Sequence, residues 1–229
     1  MIYVISDIHG NYDALKIFFK KVKISNGDLV ISLGDYIGYY YESNKCINLL
    51  RKKNVICLKG NHDNNFINSI NDKKKINFYS NKYGNAYKYS KKTISKENLF
   101  FLRKLKKNKS INIKNLRLSF SHGTPWKIDQ YIYPDTEKKI LIKFRKLKQD
   151  IFFIGHTHKR LELKVQNKKI YNPGSIGQPR DGKKGLHWIE FNEKTHKVFF
   201  KSSKYCSFSL KKKIMINDKV KYNQLAKYL

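Results

Sequence analysis

Nine residues of the 229-residue chain whose side chains could ligate metals or move protons fall in tight groups directly after apolar runs: Asp7 with His9, Asp35, Asn61-His62-Asp63, His122, and His156 with His158. Five of the seven histidines belong to this set; His187 and His196 lie outside it. Imidazole, carboxylate and amide oxygen together suit borderline divalent ions such as Mn, Fe, Co, Ni or Zn, and not a soft thiolate site or an all-oxygen Mg or Ca cage. No cysteine stands at these positions, which excludes a structural zinc finger. The i, i+2 spacing of Asp7/His9 and of His156/His158 puts each pair on one side of an extended segment. Each pair can thus offer two ligands to one ion, or one ligand to each of two neighbouring ions.

The elements that must bring these groups together are short apolar runs, each stopped by a breaker. Ile2–Ser6 runs into Asp7, Leu29–Leu33 into Gly34-Asp35, Val55–Leu58 into Gly60–Asp63, Leu116–Ser121 into His122-Gly123, and Ile151–Ile154 into Gly155–His158. Such runs predict buried strands. Between them Leu15, Phe18, Phe19 and Val22 recur with helical spacing in Tyr12–Val22. Ser43 is the expected cap of a helix over Asn44–Lys52, Ser95 of Lys96–Leu105 and Thr136 of Glu137–Leu147. Strands alternating with helices predict an α/β fold, in which loops beyond the carboxyl ends of the strands converge on one crevice. Gly185–Phe191 and Lys197–Ser203, joined through Asn192–His196, predict an antiparallel hairpin and hence mixed sheets. The domain is expected over residues 1–203. Within it 64–94, polar and weakly patterned, reads as a surface insertion near the site. Residues 204–229 read as a basic tail of no assigned structure.

Lys and Arg number 49 against 17 Asp and Glu, a net charge of +32. All but six of the cations are Lys, and Asn and Ile are enriched with them, a pattern of compositional drift and not of a selected binding face. A solvated surface that favours the approach of a phosphate is expected. Nucleic-acid binding, with its steep salt dependence, is the less favoured reading. No apolar run approaches the ~18–20 residues of a membrane span, and the N-terminal run meets Asp7 without a basic region before it. Neither a membrane partner nor a signal peptide is expected. Three cysteines without a CxxC pair fit a reducing cytoplasm.

Asp7-Ile8-His9, Gly34-Asp35, Gly60-Asn61-His62-Asp63, the lone strand-end His122 and Gly155-His156-Thr157-His158 resemble, in order and spacing, the five motifs of the calcineurin-like metallophosphoesterases. The likeness runs from Met1 to about Phe200, and Asn172–Arg180 resembles the closing loop of the family's small bacterial, phosphodiesterase-type branch. The resemblance implies two mixed β-sheets packed as a sandwich and flanked by helices, a four-layer α/β/β/α fold. It implies that Asp7, His9 and His158 hold one metal, that Asn61, His122 and His156 hold the other, and that Asp35 bridges them. Manganese is the expected ion, with Fe, Ni, Co or Zn as alternatives. A metal-bridging hydroxide would attack phosphorus while the ions stabilise charge on the phosphoryl oxygens. His62 is implied to be the acid that protonates the leaving oxygen, oriented or charged by Asp63; capping the next helix is the competing role for Asp63.

Two further residues are candidate substrate contacts. Asn11 would touch phosphate or cap Tyr12–Val22, and Arg180 would clamp a phosphate bidentately or remain a solvated surface group. Trp126, Tyr131 and Tyr133, and likewise Tyr36, Tyr39, Tyr40 and Tyr41, could stack on a base, although ordinary packing is the first expectation for them. The serine/threonine phosphoprotein phosphatases of the superfamily carry Gly-Asp-x-x-Asp-Arg-Gly and Gly-Asn-His-Glu. Here Gly34–Tyr39 contains no Asp-Arg and the second motif ends in Asp63. The expected activity is therefore phosphodiester hydrolysis on a small phosphoester or nucleotide-like substrate. A phosphomonoesterase, or a phosphoprotein or dinucleoside-polyphosphate phosphatase, is the enzymatic alternative. A basic nucleic-acid-binding protein with a vestigial metal site is the alternative of another class.

Overall fold

A computed structural model describes residues 1–229. The N-terminal strands β1 (Ile2–Ile5), β2 (Leu29–Ser32) and β3 (Ile56–Cys57) run parallel. The late hairpin β9 (Leu186–Phe191) and β10 (Val198–Ser203) adds to β1 antiparallel, which gives the order β10-β9-β1-β2-β3. In the second sheet β5 (Leu116–Ser121), β6 (Ile151–Phe153) and β8 (Lys168–Pro173) are parallel. Antiparallel edges β4 (Asn108–Ile113) and β7 (Arg160–Val165) complete it in the order β4-β5-β6-β8-β7. Both sheets are mixed, as expected.

The two-residue period of a strand sorts side chains into layers. Ile2 and Val4 of β1 face the second sheet and pack with Leu118, Phe120, Ile151 and Phe153, while Tyr3 and Ile5 turn to the helices. Helices α1 (Tyr12–Lys21), α2 (Ser43–Lys52) and α6 (Lys96–Lys104) cover that outer face through Leu15, Phe18, Ile47 and Leu102. On the far side Phe144 of α7 (Lys138–Arg145) packs on Phe152 at 4.9 Å between ring centroids. The layers are helix, sheet, sheet, helix.

Local signals held where the side chain does the capping. Ser95 accepts from the Asn98 N–H at 3.2 Å, and the Asn11 side chain caps α1 through the Ala14 N–H at 3.1 Å. They failed at two other helix starts. Ser43 is itself the first residue of α2, behind Glu42, and α7 starts behind Glu137 because the Thr136 hydroxyl instead accepts from the Tyr133 N–H at 2.7 Å.

Residues 64–94 are not a surface insertion. They form most of α3 (Asn61–Ser69), then α4 (Lys73–Tyr83) and α5 (Ala86–Thr93), and they bury Phe66, Ile76 and Tyr87 in the main core. Their apolar period was blurred because Ser69, Ser80 and Ser90 are buried too. Residues 204–229, left without an assigned structure by the sequence, fold back onto the domain. Helices α8 (Phe208–Asn217) and α9 (Tyr222–Ala226), joined by a 3-10 turn at Lys219–Lys221, pack Leu210, Ile214, Leu225 and Leu229 on Tyr40 and Tyr41. The Asp218 carboxylate fastens this segment, accepting from the Tyr41 hydroxyl at 2.7 Å and the Asn85 N–H at 2.9 Å. No helix is long and apolar enough to cross a membrane.

Candidate metal centre

The loops that leave β1, β2, β5 and β6, with the start of α3, meet at one point. Backbone bonds stitch them together: Asp7 N–H donates to Gly34 O at 3.1 Å, His9 N–H to Asp35 O at 2.8 Å, and Gly155 N–H to His122 O at 2.7 Å. The His156 N–H reaches across the sheets to Asp7 Oδ2 at 3.1 Å, and the His62 N–H holds Asp35 Oδ1 at 2.8 Å. Close approach requires glycine at this junction, since a Cβ on Gly60 would stand 2.1 Å from Asp35 Oδ1. Convergence does not come from extended i, i+2 pairs, as the spacing predicted. Asp7, His9, Asp35, His156 and His158 all take left-handed backbone conformations, with φ between 50° and 68°. Non-glycine residues adopt these rarely and at a cost, and such strain gathers at functional sites.

Two groups of ligand atoms result: Asp7, His9 and His158, and Asp35, His122 and His156, each set within 4.8 Å of one another and fully buried. Asn61 joins the second, its Oδ1 2.9 Å from His122 Nε2. Asp35 Oδ2 stands between the groups, 3.6 Å from His9 Nε2 and 3.3 Å from His122 Nε2. All seven residues foreseen as ligands are thus brought together.

The second ring nitrogens fix the tautomers. His9 Nδ1 lies 2.8 Å from Ile37 O, His158 Nδ1 2.8 Å from Gln178 O, and His122 Nδ1 3.2 Å from Leu33 O. A carbonyl only accepts, so each Nδ1 carries a proton, and in the neutral rings of His9 and His158 the Nε2 lone pair points inward. His9 Nε2 and His158 Nε2 then face each other at 3.1 Å as two acceptors. Asp7 Oδ1, Asp35 Oδ2 and His156 Nε2 are buried without any hydrogen-bond partner. Buried lone pairs and unpaired carboxylate oxygens cost several kcal/mol unless a cation meets them. The donor set fits two divalent ions.

Burial tends to keep the imidazoles neutral and ready to ligate. It drives His9 and His158 well below their usual range and His156 down to about 3. At His122 burial is outweighed by the Asp35 carboxylate, and the ring is raised to about 9. Burial lifts Asp7 to about 6, whereas at Asp35 the surrounding imidazoles, His122 first, overcome burial and hold it well below the usual carboxylate range.

Outside the ligand set the expectations fared differently. The His62 ring stands 4.9 Å from that of His9, in the site, and burial lowers it to about 4. Asp63 does not touch this ring. Its carboxylate accepts from the N–H groups of Gly60, Asp35, Tyr36 and Ile37 at 2.9–3.2 Å, so it caps α3 and holds the loop after β2. A catalytic Asp63 that orients or charges His62 is replaced by a positioning residue, and the partner of His62 Nδ1 is the Tyr87 hydroxyl at 3.0 Å. Asn11 is likewise no substrate contact. Its oxygen caps α1, and its amide donates to Gly177 O at 2.9 Å and the Tyr205 hydroxyl at 2.6 Å. Arg180 lies beside the centre: its backbone N–H donates to His158 O at 3.0 Å, its guanidinium bonds Gln178 Oε1 and lies 5.2 Å from the Tyr39 ring centre, and its positive charge disfavours protonation of Asp7, His9, His158 and His62.

Aromatic residues complete the wall. Tyr131 stacks on His156 at 4.0 Å and Tyr39 meets His9 edge-on at 4.7 Å, while Tyr36, Tyr40 and Tyr41 are buried and Trp126 packs on Phe144. Tyr83, 4.5 Å from His62, and Tyr87 went unrecognised because they belong to the segment read as an insertion. Nothing in their local sequence marks them.

Residues 1–194 match the calcineurin-like phosphoesterase superfamily domain. The uncharacterized protein MJ0912 of Methanocaldococcus jannaschii is 34% identical over 216 residues, covering 86% of this chain and 85% of its own. Among solved structures, a metallophosphoesterase from Sphaerobacter thermophilus has a TM-score of 0.79 at 22% identity, over 100% of this chain and 99% of that one. The hypothetical protein PH1004 from Pyrococcus horikoshii has 0.75 at 21%, over 94% and 93%. At these identities the structures speak for the fold. With the domain match and the convergent ligand set, the chain belongs to the calcineurin-like phosphoesterase superfamily and is a metal-dependent phosphoesterase.

Proposed function

We propose that this phosphoesterase hydrolyses phosphodiester bonds, with Asp7, His9 and His158 holding one divalent ion, Asn61, His122 and His156 the other, and Asp35 shared between them. The inward-facing, partnerless Asp7 Oδ1, Asp35 Oδ2 and His156 Nε2 carry the ligand assignment. Divalent ions bound there supply Lewis-acid charge for phosphoryl oxygens and acidify water toward neutrality. Manganese is the metal we favour, and Fe, Ni, Co and Zn suit the same donors. Three unpaired cysteines support a cytoplasmic setting.

The preference for diesters rests on the wall around the clusters, which is largely phenolic: Tyr39, Tyr83 and Tyr131. The Arg180 guanidinium is engaged by Gln178 Oε1 and lies 5.2 Å from the Tyr39 ring centre. A diester brings one negative charge to such a wall, whereas a monoester dianion needs free charged donors. His62, beside His9 and steadied by Tyr87, is the proposed proton donor to the leaving oxygen. The test compares bis-p-nitrophenyl phosphate with p-nitrophenyl phosphate on the manganese-loaded protein. A kcat/KM about tenfold or more in favour of the diester is expected, and a preference for the monoester overturns the reading.

A further inference from the structure

A cleft of about 320 Å³ adjoins the metal centre, and it is built from both ends of the chain. Tyr39 and Tyr83, which touch His9 and His62, form the wall shared with the centre; Lys227 and Tyr228 come from the C-terminal segment, and Lys82 and Arg180 also line the cleft. We propose that the C-terminal segment completes a substrate subsite here, and that this subsite takes the nucleoside phosphate arm of a phosphodiester. The inference rests on the diesterase reading and adds the identity of one arm of its substrate.

Charge is the first reason. Three cations line the cleft and no carboxylate does. The larger cleft nearby, about 540 Å³, contains Asp135 and Asp181, and Asp181 already neutralises Arg160 at 2.6 Å. Surplus positive charge lies on the Tyr228 side, where a phosphate one nucleotide away from the scissile bond would meet the Lys82 and Lys227 ammonium groups. Stacking is the second reason. The Arg180 guanidinium lies 5.2 Å from the ring centre of Tyr39 and 5.5 Å from that of Tyr228, so flat groups already find faces in this cleft. A base finds the same faces, and each stacked base contributes about 1–3 kcal/mol. The volume falls at the small end of the range for ligand pockets, which suits one nucleotide arm.

The wall is held in place. The Tyr40 hydroxyl donates to Leu225 O at 3.1 Å, and Lys213 pairs with Glu42 at 2.8 Å, so the segment is fastened to the loop that carries Tyr39. Asp218 ties it to the turn between α4 and α5, next to Tyr83. Residues 208–229 therefore belong to the substrate site and do not merely decorate its outside.

Adenosine 5′-monophosphate binding to the full-length, metal-free protein is the direct probe, with adenosine and inorganic phosphate as comparisons and Lys227→Ala and Tyr228→Ala as variants. The proposal expects the nucleotide to bind at least tenfold tighter than either fragment, each variant to weaken it about tenfold, and unchanged melting temperatures. On the manganese-loaded protein the same variants should raise KM for 5′-phosphorylated diadenylate (pApA) about tenfold. Nucleotide affinity that ignores both substitutions, or inorganic phosphate binding as tightly as the nucleotide, overturns the subsite. If the nucleotide binds as expected but no diester is cleaved, the subsite stands and the diesterase reading falls.

Discussion

The strand-end loops and the helical segments that wall them are built on opposite terms. In the loops, backbone is strained into left-handed conformations and buried polar atoms are left unpaired: Asp7 Oδ1, Asp35 Oδ2 and His156 Nε2 have no partner within the chain. In the wall formed by the C-terminal helices the buried carboxylate is satisfied. Asp218 accepts from Tyr41 and Asn85, and apolar residues such as Leu210, Ile214 and Leu225 are fully covered. A cation would stabilise such loops by meeting their unpaired buried oxygens and nitrogens, whereas the wall is held by contacts within the chain. The difference separates what the centre needs from a ligand and what the fold supplies without one.

Asp35→Asn strikes the loops hardest. It removes the charge that lies between both clusters, and turnover should drop by about 10²–10³ or more, the scale of losing one preorganised electrostatic contact. Metal retention after dialysis should fall with it, and near-normal kcat would show that Asp35 is misassigned. His62→Ala separates ligands from proton donor. Rates on poor leaving groups should decrease by about 10²–10⁴ while rates on p-nitrophenyl esters change less. Both ions should remain by elemental analysis; an emptied site would make His62 a ligand.

Asp218→Ala probes the wall instead. Stranding the Tyr41 hydroxyl and the Asn85 N–H should cost about 1–3 kcal/mol, a lowering of several degrees in the melting temperature, with manganese stoichiometry intact. Loss of metal in this variant would break the distinction between the two regions.

The smallest expected effect is acid sensitivity from His187, buried on β9 with neither ring nitrogen hydrogen-bonded. Burial lowers it to about 4 against the pull of Asp181, while Arg160 and Lys183 add to the lowering. The unfolded chain titrates near the ordinary histidine value of ~6.5. Between the two values the unfolded state binds the extra proton, so this contribution to stability is complete above about 6.5 and is lost as the pH falls toward 4. In metal-free protein, His187→Asn should lose less melting temperature between pH 7 and pH 4.5 than the parent. An equal loss would show that His187 carries none of the acid sensitivity.

The same contrast explains what the sequence made legible. The ligands are uncommon residue types placed directly after β-branched runs, so Asp7, Asp35, His122 and His156 announced both themselves and the strands that carry them. Strands β4 and β7 escaped notice because they are edge strands with many exposed polar positions, and α4 and α5 because buried serines interrupt their apolar stripes. Asp63 and Asn11 were given chemical roles from the motifs around them. Only tertiary contacts reveal that every acceptor on Asp63 meets a backbone N–H and that the Asn11 amide is engaged on both sides. Lys227 and Tyr228 are ordinary residues in a Lys-rich chain, and nothing local could have brought them to Arg180.

Anomalous diffraction from a manganese-soaked crystal reads the central claim most directly. Two peaks are expected, one enclosed by Asp7, His9 and His158 and the other by Asn61, His122 and His156, with Asp35 reaching both. Density without an ion among those side chains, or manganese bound only elsewhere on the surface, would contradict it.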